Sequence, residues 1–140
     1  MTKNVIIRIE GSQKNSDEEP VVINEKGIYQ QRENAHYVRY EEASSEDPSQ
    51  SIKAMIKITP ERIILSKQGI YPSQMVFDRM EMTQTCYQTP YGALQLEIRT
   101  KDIILKEEAD LIHITLEYCL SENGSHLSDN RTIISISSVQ

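Results

Sequence analysis

Hydrophobic and polar residues alternate with a period of two along most of this chain, the pattern of half-buried β-strands. Val5, Ile7 and Ile9 alternate with Asn4, Ile6, Arg8 and Glu10. Ile52, Ala54, Ile56 and Ile58 alternate with Lys53, Met55 and Lys57, which predicts one buried face and one lysine-bearing face. The same rhythm runs through Leu94, Leu96 and Ile98, through Ile112, Ile114, Leu116, Tyr118 and Leu120, and through Ile134 and Ile136. β-Branched residues are frequent in these runs and suit a pleated surface.

Turn chemistry separates the runs. Lys26-Gly27, Thr59-Pro60-Glu61, Glu107-Glu108-Ala109-Asp110 and Asn123-Gly124 are expected to reverse the chain, Asn-Gly being the strongest short hairpin signal. Polar segments from Gly11 to Pro20 and from Ala43 to Gln50, the latter holding Asp47-Pro48-Ser49, predict longer loops. The stretch from Glu25 to Glu42 reads as two strands around Gln31 to Asn34 rather than as a helix. Roughly eight to ten strands of about six residues result. Sequential antiparallel hairpins of that number close most economically into an up-and-down barrel, because closure removes exposed edges. A two-sheet sandwich is the alternative that periodicity leaves open. Ile63-Ile64-Leu65 and Ile103-Ile104-Leu105 break the alternation. Such runs suit strands covered on both sides, or an apolar outer patch that meets a partner.

Composition narrows the setting. A length of 140 residues fits a single domain, 1–140, able to bury a core without metal or disulfide staples. A net charge of −6, with no block of Lys or Arg, argues against a nucleic-acid partner. Arg8 and Glu10 interrupt the apolar run Val5-Ile6-Ile7, so nothing there reads as a signal peptide. No stretch approaches the roughly 20 apolar residues of a membrane span. The expected location is therefore the cytoplasm, with Cys86 and Cys119 reduced.

Four motifs then carry a resemblance. Tyr40-Glu41-Glu42, Met75-x-Phe77, Tyr87-x-Thr89-Pro90-Tyr91-Gly92 and Ile114-x-Leu116-x-Tyr118, with Ser128-x-Asn130 as a fifth element, occur in this order. Over Tyr37 to Tyr118 the chain resembles the YwiB-like family of uncharacterised bacterial β-barrel proteins. The resemblance implies a lipocalin-like (calycin) barrel and no established activity. One departure stands out: the family pattern has an arginine before the central glycine, whereas this chain reads Ser66-Lys67-Gln68-Gly69. A barrel carboxylate that such an arginine would pair needs another partner here.

Candidate chemistry is sparse. Alternation places Thr85, Tyr87 and Thr89 on one face, with Pro90 ending regular pairing and Gly92 free to take a positive φ. Tyr87, Thr89 and Tyr91 could offer hydroxyls to a ligand at a barrel mouth, or cap strand ends at a corner. If Val38 and Tyr40 point inward, so does Glu42, and a carboxylate inside a barrel needs a partner or a proton. His36, His113 and His126 show no ligand spacing and form no recognisable zinc set with the two cysteines, so no metal is expected. There is no nucleophile elbow, P-loop or dinucleotide fingerprint.

The reading is an all-β, lipocalin-like, non-enzymatic barrel for a small apolar or amphipathic ligand, with no cofactor. Tyr40, Glu42, Tyr87, Thr89 and Tyr91 are its candidate ligand-binding residues. An interaction module or homodimer using outer strand faces is the alternative. An enzyme with an in-barrel carboxylate comes third.

Overall fold

Residues 1–43, 49–69 and 72–139 are described by a computed structural model, except for the side chain of Thr89. The alternating runs form β1 (Asn4–Gln13), β2 (Val21–Arg32), β3 (Ala35–Ala43), β4 (Ser51–Ile58) and β5 (Arg62–Gln68). They continue as β6 (Ser73–Asp78), β7 (Thr83–Thr89), β8 (Gly92–Glu107), β9 (Leu111–Glu122) and β10 (Ser125–Ser138). All pairings are antiparallel, in the order β6-β5-β4-β3-β2-β1-β10-β9-β8-β7. Every strand except β7 therefore pairs with its predecessor in sequence, and β1 meets β10, giving a nearly closed up-and-down barrel. No helix long and apolar enough to cross a membrane occurs among the described residues.

Most predicted reversals stand where turn chemistry put them. Thr59 to Glu61 joins β4 to β5, and Glu108 to Asp110 joins β8 to β9. Asn123 and Gly124 join β9 to β10 with φ of 50° and 80°, the left-handed values that a two-residue hairpin needs. Glu33, at φ 53°, turns β2 into β3 inside the predicted Gln31 to Asn34 window. The Gly11 to Pro20 loop is shorter than expected, because Gly11 to Gln13 continue β1 against Thr132 to Asn130 of β10. Of the second loop, residues 44–48, with Asp47 and Pro48, lie outside the described residues.

Lys26-Gly27 is a correction. It makes no turn but sits in mid-β2, with Gly27 opposite both Val5 and Tyr40. A Cβ at Gly27 would lie 2.5 Å from Ile7 Cδ1 and 2.7 Å from the Arg39 carbonyl oxygen. The missing side chain serves close packing within a strand, the other use of glycine besides turns.

The interior is full of aliphatic side chains. Phe77, Leu116 and ten isoleucines, among them Ile7, Ile58, Ile114 and Ile134, are exposed by less than 2%. Phe77 packs edge-on against Tyr118 with ring centroids 4.7 Å apart. The ambiguous runs resolve here: Ile63 and Ile103 are buried, Leu65 and Leu105 pack on the core, and Ile104 is exposed on the outer face.

Closure at the β6–β7 seam depends on side chains, since no backbone ladder joins these edges among the described residues. Thr83 Oγ1 donates to the Val76 carbonyl at 2.5 Å, and Thr85 Oγ1 donates to the Gln74 carbonyl at 2.6 Å. At the connection below, Asp78 accepts from the Met80 backbone N–H at 2.8 Å and from Arg62 at 2.6 and 2.9 Å. Those bonds hold its carboxyl below the usual carboxylate range. Thr85→Val keeps the side chain's shape but strands a carbonyl at the seam. The expected cost is about 1–2 kcal/mol in denaturant unfolding, with amide exchange accelerating first in β6 and β7. Uniform exchange across the barrel would show that the hydroxyl does not hold the seam.

Candidate functional site

Alternation divides each strand into an inner and an outer row, and polar groups collect in several places among the described residues. The first is the inner row of β3, where Tyr40 is buried and Glu42 lies one pleat further along. Glu42 Oε1 pairs with Lys67 Nζ at 2.8 Å, so the lysine of β5 answers the carboxylate. An ammonium is a point charge, whereas a guanidinium can bind both carboxylate oxygens at once. Accordingly, Glu42 Oε2 is buried with no hydrogen-bond partner among the described residues. Burial, then the Glu42 and Glu25 carboxylates, push the Tyr40 phenol well above its ordinary value, so it remains protonated.

The second place is the hairpin between β7 and β8. Tyr87 is half exposed, opposite Leu94, and Tyr91 in the two-residue turn is fully exposed. Gly92 has φ 126°, the conformation that favours glycine. The backbone of Thr89 ends β7, while its side chain lies outside the described residues. The sheet order places β4, β5 and β6 between this hairpin and β3. Tyr40 and Glu42 thus stand on a strand that does not pair with the hairpin of Tyr87 and Tyr91.

The third place escaped sequence reasoning. His36 Nε2 lies 2.7 Å from Glu107 Oε1, and His36 Nδ1 lies 2.5 Å from the Tyr29 hydroxyl. If Nε2–H donates to the carboxylate, Nδ1 is left to accept from tyrosine. The chain of bonds straps β2 and β3 to β8 across one end of the barrel. Burial and the Glu107 charge raise the Tyr29 phenol, keeping it a hydrogen-bond donor. Inward parity of Tyr29 and His36 about the Glu33 turn was the available signal, but only the closed barrel brings Glu107 to them.

The fourth is a groove of about 1310 Å³ over β1 to β5. Its lining comes mainly from the outer rows, where the apolar side chains Ile6, Ile28 and Met55 are interspersed with Lys26, Arg39 and Lys53. Gly27 borders the groove. None of the three cations is in an ion pair among the described residues. Glu41 is the outward carboxylate of the lining, whereas Glu25 faces inward opposite Ile7. Tyr40 also borders the groove, so one of the five expected residues reaches it.

Comparison with known proteins follows the fold. Residues 7–134 match the model of the domain of unknown function DUF1934, and the chain belongs to that family. This agrees with the YwiB-like resemblance carried by the tyrosine and glycine motifs. The crystal structure of the ywiB protein from Bacillus subtilis superposes with a TM-score of 0.82 at 16% identity, covering 99% of this chain and 93% of that one. At that identity the likeness speaks for the fold. No curated protein matches the chain.

Proposed function

We propose that this DUF1934 barrel is a binding protein for a small amphipathic anion, and that the ligand lies in the outer groove over β1 to β5. The observation that carries the reading is the mixture of apolar side chains, Ile6, Ile28 and Met55, with Lys26, Arg39 and Lys53, cations without an ion pair among the described residues. On a chain of net charge −6, a groove lined by three cations and two carboxylates, Glu25 and Glu41, carries a small positive balance. Complementary charge selects an anionic head group and speeds encounter. The apolar side chains supply burial for a hydrocarbon tail, and concave sites of several hundred Å³ suit small ligands. Inside the barrel, by contrast, Phe77 and ten isoleucines are buried in one apolar cluster that offers no charged group to an anion's head.

Dodecanoate and dodecylamine, which share a tail and differ in charge, test the reading by calorimetry and by amide shifts in β1 to β5. Saturable binding of the carboxylate but not of the amine is expected. Arg39→Glu should weaken it by about tenfold, or roughly 1.4 kcal/mol. Equal binding of both amphiphiles, or shifts confined to the β7–β8 hairpin, would overturn it.

A further inference from the structure

Two β-bulges in neighbouring ladders converge on one spot of the outer face. Cys119 and Asp129 are direct cross-strand partners in the β9–β10 ladder. The register of that ladder shifts between His126 and Ser128, leaving Leu127 as the extra residue. Without the extra residue, His126 would share the inward parity of Ser128. With it, His126 stands on the same face as Asp129, and bulges are known for re-aiming side chains in this way. The β8–β9 ladder shifts between Thr100 and Asp102, and the extra residue is Lys101.

All four side chains meet at one oxygen. Asp129 Oδ1 lies 2.9 Å from Cys119 Sγ, 3.2 Å from His126 Nε2 and 3.3 Å from Lys101 Nζ. The sulfur, imidazole and carboxylate donor atoms all fall within 4.8 Å of one another. Around a tetrahedral zinc ion, bonds of about 2.0–2.3 Å put donor atoms roughly 3.3–3.6 Å apart. The existing separations therefore need only small side-chain adjustments to reach that geometry.

We infer that Cys119, His126 and Asp129 form a binding site for a divalent ion of the zinc class, with Lys101 as the cation that the metal displaces. The donor set is the kind that borderline-soft ions prefer, one thiolate, one imidazole and one carboxylate. Hard ions such as Mg²⁺ and Ca²⁺ would lose two of the three donors, because they select oxygen. Three protein ligands leave a fourth position for water or a substrate atom. The Lys101 ammonium and the metal compete for the same carboxylate oxygen, so removing the ammonium should favour the metal.

The full chain, stripped with chelator, is titrated with Zn²⁺ by calorimetry and with Co²⁺ by absorbance. A single equivalent should bind, and cobalt should show a thiolate charge-transfer band. Cys119→Ser should abolish the band and weaken Zn²⁺ by at least about tenfold, the scale set by milder outer-shell changes. His126→Ala should weaken Zn²⁺ as well, and Cys86→Ser should leave both signals intact. Lys101→Met should tighten binding. These side chains stand on the outer face, so the variants leave the barrel core untouched. Absence of saturable Zn²⁺ binding up to about 100 µM, weaker than a useful site, would overturn the inference. So would equal affinity in the wild-type, Cys119→Ser and His126→Ala chains.

Discussion

Phe77→Ala is expected to cost about 3–5 kcal/mol, as other buried Phe-to-Ala changes do. Phe77 is the only phenylalanine of the chain and is fully buried on β6. Its ring sits edge-on to Tyr118 of β9, whose hydroxyl in turn lies 3.1 Å from Thr132 Oγ1. Truncation removes that contact and opens a cavity among isoleucines whose β-branched side chains have few rotamers with which to collapse. β6 is also a sheet edge at the seam, held to β7 by threonine hydroxyls rather than a ladder. A total stability of about 5–15 kcal/mol leaves such a variant marginal. Urea unfolding would measure the loss; a cost below about 1 kcal/mol would mean that the core does not pack around this ring. Phe77→Leu should recover much of the stability, since it keeps more buried apolar volume and leaves a smaller cavity than alanine.

Gly27→Ala is the second large effect, and it acts by crowding rather than by a cavity. The added methyl would meet Ile7 Cδ1 at 2.5 Å and the Arg39 carbonyl oxygen at 2.7 Å. The first neighbour is the end of a side chain, while the second is backbone and cannot yield cheaply. Overpacking of this kind costs about 1–3 kcal/mol. Ile7→Val removes Cδ1 and should cost about 0.5–1.5 kcal/mol alone. Together the two should cost less than their sum, by about 0.5 kcal/mol or more, because they relieve one shared contact. Strict additivity in the double-mutant cycle would show that the carbonyl contact alone sets the penalty.

The glycine shows why one sequence signal admits two structures. A Lys-Gly pair between apolar runs is ordinary turn chemistry, yet here β2 passes straight through it. Glycine reports that something needs the space or the φ, without saying which. At Asn123-Gly124 the need was φ, and the hairpin came out as predicted. At Gly27 the need was space, created by Ile7 and Arg39 from two other strands. No local window contains both.

The same division separates the candidate residues. Inward Tyr40 and Glu42 were legible, because parity along β3 depends only on neighbours in sequence. Their partner Lys67 was not, since it is supplied by β5. His36, His126 and Cys119 showed no ligand spacing in the sequence, and parity without a bulge places His126 on the inner row. An extra residue in one strand shifts the register of everything beyond it, and the sequence does not mark where that happens.

By itself, then, the sequence determined the strands, most of their turns and the apolar inner row, because a two-residue period is a property of the chain alone. Ten strands closing on one another decided the rest. Closure set Glu107 against His36, sewed β6 to β7 with threonine hydroxyls, and aimed His126 and Lys101 at Asp129. It also brought Ile7 and Arg39 against Gly27 from two other strands. Each of these depends on strand register, even where the residues are near in sequence, as His126 and Asp129 are, and register is settled only when all strands pack together.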